Sequence, residues 1–154
     1  MRPVAEQTVL VTGATDGLGK GLATELARAG ATVLLHGRDD NRGKATLADI
    51  TAATGSDRLR WYRADLAHLD QVRDLAAAGT ADTPRLDALV SNAGIGTDTP
   101  PGRQESADGI ELRFARQLSR RFLTHPAAAA HPACLRPGPD RPGQLGWTGS
   151  HQFR

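Results

Sequence analysis

Thr12-Gly13-Ala14-Thr15-Asp16-Gly17-Leu18-Gly19 is the stretch whose residue types and spacing carry chemistry most plainly. It falls where a β-branched run, Thr8-Val9-Leu10-Val11, meets a helical repeat with apolar residues at Leu18, Leu22, Leu26 and Ala29. Gly13 lets the chain turn sharply, Gly17 lets backbone approach a phosphate, and Gly19 allows a helix to pack closely on a strand. The free N–H groups and dipole of the helix N-terminus then favour an anion such as a pyrophosphate. Glycine spacing alone is weak evidence, but a strand before it and a helix after it are the context this chemistry needs.

The elements that must hold such a turn follow in order. Beyond the first strand and helix, a second strand is predicted over Ala31–His36 and a second helix over Asn41–Thr54, closed by Gly55. Leu59–Arg63 is a third strand, Leu69–Ala78 a third helix and Leu86–Ser91 a fourth strand. Strands separated by helices of this length imply right-handed crossovers and a parallel sheet, in the order 3-2-1-4 with helices on both faces. A further helix is expected from Ser106, as N-cap, to Phe114. The fold class is therefore α/β, a three-layer Rossmann-type sheet that is incomplete and is followed by an irregular tail.

Three more matches fall in sequence order. Asp65 and Leu66 follow the third strand in Arg63-Ala64-Asp65-Leu66, and Ser91-Asn92-Ala93-Gly94 ends the fourth. With Thr-Gly-x-x-x-Gly-x-Gly these resemble the short-chain dehydrogenase/reductase family, and the segment from Asn92 through Ser106–Ala115 resembles its retinol-dehydrogenase-like branch. The resemblance implies that Thr12, Gly13, Thr15, Asp16, Gly17, Leu18, Gly19, Arg38, Asp65, Leu66, Asn92, Ala93 and Gly94 bind a nicotinamide dinucleotide, with Asp65 beside the adenine ring.

Cofactor choice turns on the end of the second strand, where an NAD site places a carboxylate on the ribose 2′-hydroxyl. This chain has His36-Gly37-Arg38, with Gly37 at about the carboxylate's place. Arg38 then suits a 2′-phosphate, which favours NADP over NAD. The plainer alternative makes Arg38 a solvated loop charge, and the neighbouring Asp16, Asp39 and Asp40 weigh toward it.

The family's chemistry implies a Ser that orients a carbonyl, a Tyr that moves a proton, a Lys four residues after it, and an Asn in a water relay. The one tyrosine is Tyr62, inside the third strand, and the two lysines are Lys20 and Lys44. Gln117 stands where the relay Asn is expected. The sequence therefore assigns no catalytic residue and no metal ligand. It leaves two readings: an NADP-dependent oxidoreductase of alcohols or carbonyls that is inactive as this chain, or a non-catalytic nucleotide-binding or regulatory module.

The 154 residues carry a net charge of +2 that hides an asymmetry. Residues 1–115, the dinucleotide-binding unit, hold 13 Lys/Arg and 16 Asp/Glu; residues 116–154 hold six Arg against Asp140 alone, with five of the nine prolines. An irregular basic tail is favoured over a nucleic-acid arm, since neither motif nor aromatic interleaving supports the latter. A reading-frame shift after Ala115 would account for the change; the alternative is a genuinely divergent tail. Codons for Arg116–His125, advanced by one base, can read Val-Asn-Tyr-Leu-Ala-Gly-Phe-Leu-Leu-Thr, and those for Asp140–Thr148 can encode a serine-bearing strand like the family's next one. No apolar run matches a membrane span or a signal peptide, and the single Cys134 points to a reducing cytoplasm.

Overall fold

The computed structural model describes residues 2–83, 85–94, 104–106 and 108–112. A 3-10 turn at Val4–Glu6 leads into β1 (Thr8–Thr12), α1 (Gly17–Arg28), β2 (Thr32–Gly37), α2 (Asp40–Thr54), β3 (Leu59–Arg63), α3 (Leu69–Asp82) and β4 (Ala88–Val90). The four strands form one sheet in the order β3-β2-β1-β4, every pair parallel. Strand order and layering follow the sequence expectation.

Alternation along the strands divides the core between the two faces of the sheet. Val9 and Val11 of β1 and Val33 and Leu35 of β2 meet Ala23 and Ala27 of α1 and Ile50 of α2. On the opposite face Leu10, Leu34 and Tyr62 meet Val72 and Leu75 of α3. The central strands are buried on both sides, which is why they read as unbroken apolar runs.

Helix ends are fixed by local chemistry. Asp39 caps α2 by accepting from the N–H groups of Asn41 (2.8 Å) and Arg42 (3.0 Å). Gly30 follows α1 at φ +86°, and Ala31 N–H returns to Leu26 C=O while Gly30 N–H returns to Ala27 C=O, a Schellman closure. The third helix runs four residues past the expected end at Ala78, through Gly79 to Asp82. The Thr80 and Thr83 hydroxyls bond back to carbonyls of the preceding turn, and Asp82 accepts from Tyr62 Oη at 2.7 Å, anchoring the last turn to β3. β4 is shorter than expected, three residues in place of Leu86–Ser91.

One element is corrected. Ser106 starts no helix: Glu105 and Glu111 form an antiparallel bridge, and between them Ser106 N–H bonds to Ile110 C=O while Gly109 turns at φ +72°. Asp-Gly in that position favours a tight turn over a first helical turn. Asp108 caps α3 from this hairpin, accepting from Leu69 N–H at 3.0 Å. The tail expected at 116–154, with Gln117, lies outside the described residues.

Candidate functional site

The carboxyl ends of β1, β2 and β4 open into a cleft of about 420 Å³. Eight of the thirteen residues expected there line it: Gly13, Thr15, Arg38, Asp65, Leu66, Asn92, Ala93 and Gly94, together with His36 and Gly37. A cleft at the carboxyl ends, with strands departing on both sides of β1, is the usual ligand position in an open α/β sheet.

The other five, Thr12, Asp16, Gly17, Leu18 and Gly19, are not in that lining. Thr12 is 2% exposed, and its hydroxyl donates to Val90 C=O (3.2 Å) while accepting from the N–H groups of Asn92 (3.0 Å) and Ala93 (3.1 Å). It ties the end of β1 to the end of β4. Asn92 completes the tie, its Nδ2 donating to the carbonyls of Thr12 (3.1 Å) and Gly13 (3.0 Å). Asp16 caps α1 by accepting from Gly17 N–H and pairs with Arg42 Nη2 at 2.9 Å. These two donors hold its carboxyl below the usual carboxylate range, the Gly17 bond first.

The three glycines are separable by what a side chain would meet. At Gly19 a Cβ would overlap Gly13 C=O and Asn92 Nδ2, and at Gly13 (φ +65°) it would lie 2.8 Å from Ala93 Cα. Gly17, at φ +49°, faces open space. The first turn of α1 begins there, with the Leu18 and Gly19 N–H groups preceding the first helical bond, from Lys20 N–H to Asp16 C=O. Leu18 is 82% exposed beside it. An open turn whose Leu18 and Gly19 N–H groups are unclaimed among the described residues is what a pyrophosphate requires, so the residues present fit a dinucleotide.

At the β2 end, the neighbouring acids are already engaged. Asp16 holds Arg42, Asp39 caps α2, and Asp40 accepts from Trp61 Nε1 at 2.9 Å. The exposed Arg38 guanidinium makes no hydrogen bond or ion pair among the described residues.

Sequence reasoning missed His36. It is 2% exposed at the end of β2, where its Nε2 meets Ala64 C=O (3.1 Å) and its Nδ1 accepts from Gly13 N–H (3.4 Å). One neutral tautomer serves both partners: Nε2 donates and Nδ1 accepts. The ring thus joins the glycine turn to the segment entering Asp65. A histidine closing an otherwise apolar strand was the available signal. Burial lowers its pKa below 6.5, while the Ala64 bond and the Asp65 charge act the other way.

Tyr62 lies far from proton-transfer chemistry. Burial first, then its bond to Asp82, push its pKa up to about 12, opposite to the lowering a catalytic phenol needs. Among the described residues no cluster of His, Cys, Asp and Glu suits a metal ion, and no helix is long and apolar enough to cross a membrane.

Comparison with known proteins gives the family. A family model described as short chain dehydrogenase matches residues 7–129. This chain belongs to the short chain dehydrogenase family. Human dehydrogenase/reductase SDR family member 13 is 39% identical over 83% of the chain and 33% of its own length. Mouse polyprenol dehydrogenase is 39% identical over 80% and 35%, and mouse retinol dehydrogenase 13 is 38% identical over 76% and 34%. The chain spans about a third of the curated relatives it matches. Among solved structures, a metagenomic short-chain oxidoreductase in complex with NADP aligns at TM-score 0.63 and 33% identity, over 76% of this chain and 52% of that one. The family match continues fourteen residues past residue 115.

The buried imidazole gives a pH dependence with a definite sign. Unfolded His36 binds a proton near pH 6.5 and folded His36 at lower pH, so the unfolded state holds more protons in between and stability falls as pH drops through that window. The lowered carboxyls of Asp16, Asp39 and Asp87 act below 3.8, away from the stretch just below pH 6.5. His36→Leu should cost roughly 1–3 kcal/mol at pH 7.5, by leaving buried partners unpaired. It should also flatten the stability slope just below pH 6.5, read by urea unfolding; an unchanged slope would contradict the assignment.

Proposed function

We propose that this chain carries the dinucleotide-binding half of an NADP-dependent oxidoreductase acting on an alcohol or carbonyl compound. The observation that carries the cofactor choice is the charge arrangement at the end of β2: three acids engaged elsewhere, no carboxylate at Gly37, and on the cleft an Arg38 guanidinium unpaired among the described residues. The NADP complex of the metagenomic relative supports the same reading. Arg38 would hold the 2′-phosphate, the turn from Gly13 to Gly19 the pyrophosphate, and Asp65 with Leu66 the adenine end. Asn92, Ala93 and Gly94 would border the nicotinamide ribose. When bound, the dinucleotide supplies or accepts a hydride. The chain's own contribution is then to orient it and to keep the turn rigid.

Arg38→Ala should weaken NADP+ binding by roughly tenfold or more and leave NAD+ binding nearly unchanged, since only the former offers a phosphate to a guanidinium. Isothermal titration with both dinucleotides decides this. Equal losses for the two would remove the 2′-phosphate role.

A second reading, a non-catalytic nucleotide-binding module, is favoured by Tyr62, whose hydroxyl is bound to Asp82 and held neutral. We reconcile the two readings through the reading frame. A one-base shift after Ala115 keeps a Phe at position 122, so similarity can continue past the shift while the relay Asn and later catalytic residues are lost. NADPH oxidation with a panel of aldehydes and ketones should be absent for this chain and present for the frame-restored product. Turnover by the 154-residue chain itself would refute the frame account.

A further inference from the structure

Gly37 ends β2 on the face that packs against α1 and α2, two residues beyond Leu35 and four beyond Val33. In the parallel register Leu35 lies beside Trp61 of β3 and Gly37 beside Arg63, so the Trp61 indole shares that face. A Cβ at position 37 would lie 2.7 Å from Trp61 Cη2 and 3.0 Å from Thr15 Cγ2. The space in front of Gly37 is closed from two sides.

The ring is held where it lies from the α2 side. Its Nε1 donates to Asp40 Oδ1 at 2.9 Å in the first turn of α2. Three residues on, Gly43 is buried inside the helix, and a Cβ there would overlap the indole on its six-membered and five-membered parts. Glycine within a helix is less favourable than alanine, so the helix accepts a weaker residue where the ring lies. Gly37, Gly43 and Trp61 form one steric unit.

We propose that Trp61 is a specificity-determining residue. By occupying the space in front of Gly37 it bars a ribose-binding carboxylate from the end of β2, and so commits the cleft to a 2′-phosphorylated dinucleotide read by Arg38. Arg38 selects for the phosphate; Trp61 keeps the alternative from being built. The inference rests on the NADP reading above and adds to it a residue that touches no ligand.

The test is a cycle of Gly37→Asp, Trp61→Val and the double variant in the full chain, titrated with NADP+ and NAD+. Gly37→Asp alone should weaken both dinucleotides by roughly tenfold or more, because the carboxylate is accommodated only by displacing the ring. The double variant should regain NAD+ binding and move the NAD+/NADP+ affinity ratio toward NAD+ by at least roughly tenfold over wild type. Trp61→Val alone should keep the NADP+ preference. A parallel cycle with Gly37→Ala reads packing without ligand: Tm should fall by roughly 5 °C with Trp61 present and much less in the Trp61→Val background. A single Gly37→Asp variant as selective for NAD+ as the double would overturn the inference. So would equal Tm losses in the two backgrounds. A wild-type chain that binds neither dinucleotide would overturn the functional reading and the specificity role with it, even if the Tm cycle stayed coupled.

Discussion

The Thr12–Asn92 tie is the constraint on which the remainder of the site depends. One hydroxyl bonds three backbone groups of β4 and its exit, and one amide returns two bonds to the exit of β1. Without it the last residues of two neighbouring strands, freed from the ladder, would leave buried N–H and C=O groups unpaired at a cost of roughly 1–3 kcal/mol each. The same bonds fix the Gly13 carbonyl, against which Gly19 of the helix is pressed. The turn therefore cannot open without breaking the strand-to-strand link.

His36 holds the same turn from the other side. Its Nδ1 takes the Gly13 N–H while Asn92 takes the Gly13 carbonyl, so both polar groups of Gly13 are claimed, by a side chain of β2 and one just past β4. Trp61 then bounds the β2 end through Gly37 and Gly43. These three side chains belong to separate parts of the chain; His36 and Asn92 line the cleft, and Trp61 packs against Gly37. The groups proposed to face a ligand, Arg38 and the N–H groups at the start of α1, are set by side chains whose own partners lie within the fold.

The fold was largely legible in the sequence because its signals are local. β-Branched runs between helical repeats give strand, helix and parallel order, and Gly30 and Gly55 mark helix ends that the structure closes with left-handed residues. The site was legible as a motif but less so as a division of labour. Thr12 and Asp16 sit in the glycine-rich stretch, yet the Thr12 hydroxyl serves a tie to Asn92 eighty residues away, and the Asp16 carboxylate caps its own helix and pairs with Arg42 twenty-six residues away. His36 offered only a faint signal and Trp61 none, for the same reason: a lone polar or aromatic side chain in a strand acquires its role from the register of its neighbours. Ser106 was misread because its capping pattern and the Asp108-Gly109 turn compete locally, and the turn prevails where Asp108 also caps α3.

The central claim is that the turn held by Thr12, Asn92 and His36 is a dinucleotide cradle. Backbone amide hydrogen exchange on the 154-residue chain, with and without saturating NADP+, tests it most directly. The account predicts added protection from Gly13 to Gly19, at Arg38, at Asp65–Leu66 and from Asn92 to Gly94. It predicts no change in the 3-10 turn Val4–Glu6 or at the carboxyl end of α3. Absence of protection in the glycine turn at saturating NADP+, or protection centred elsewhere, would contradict it.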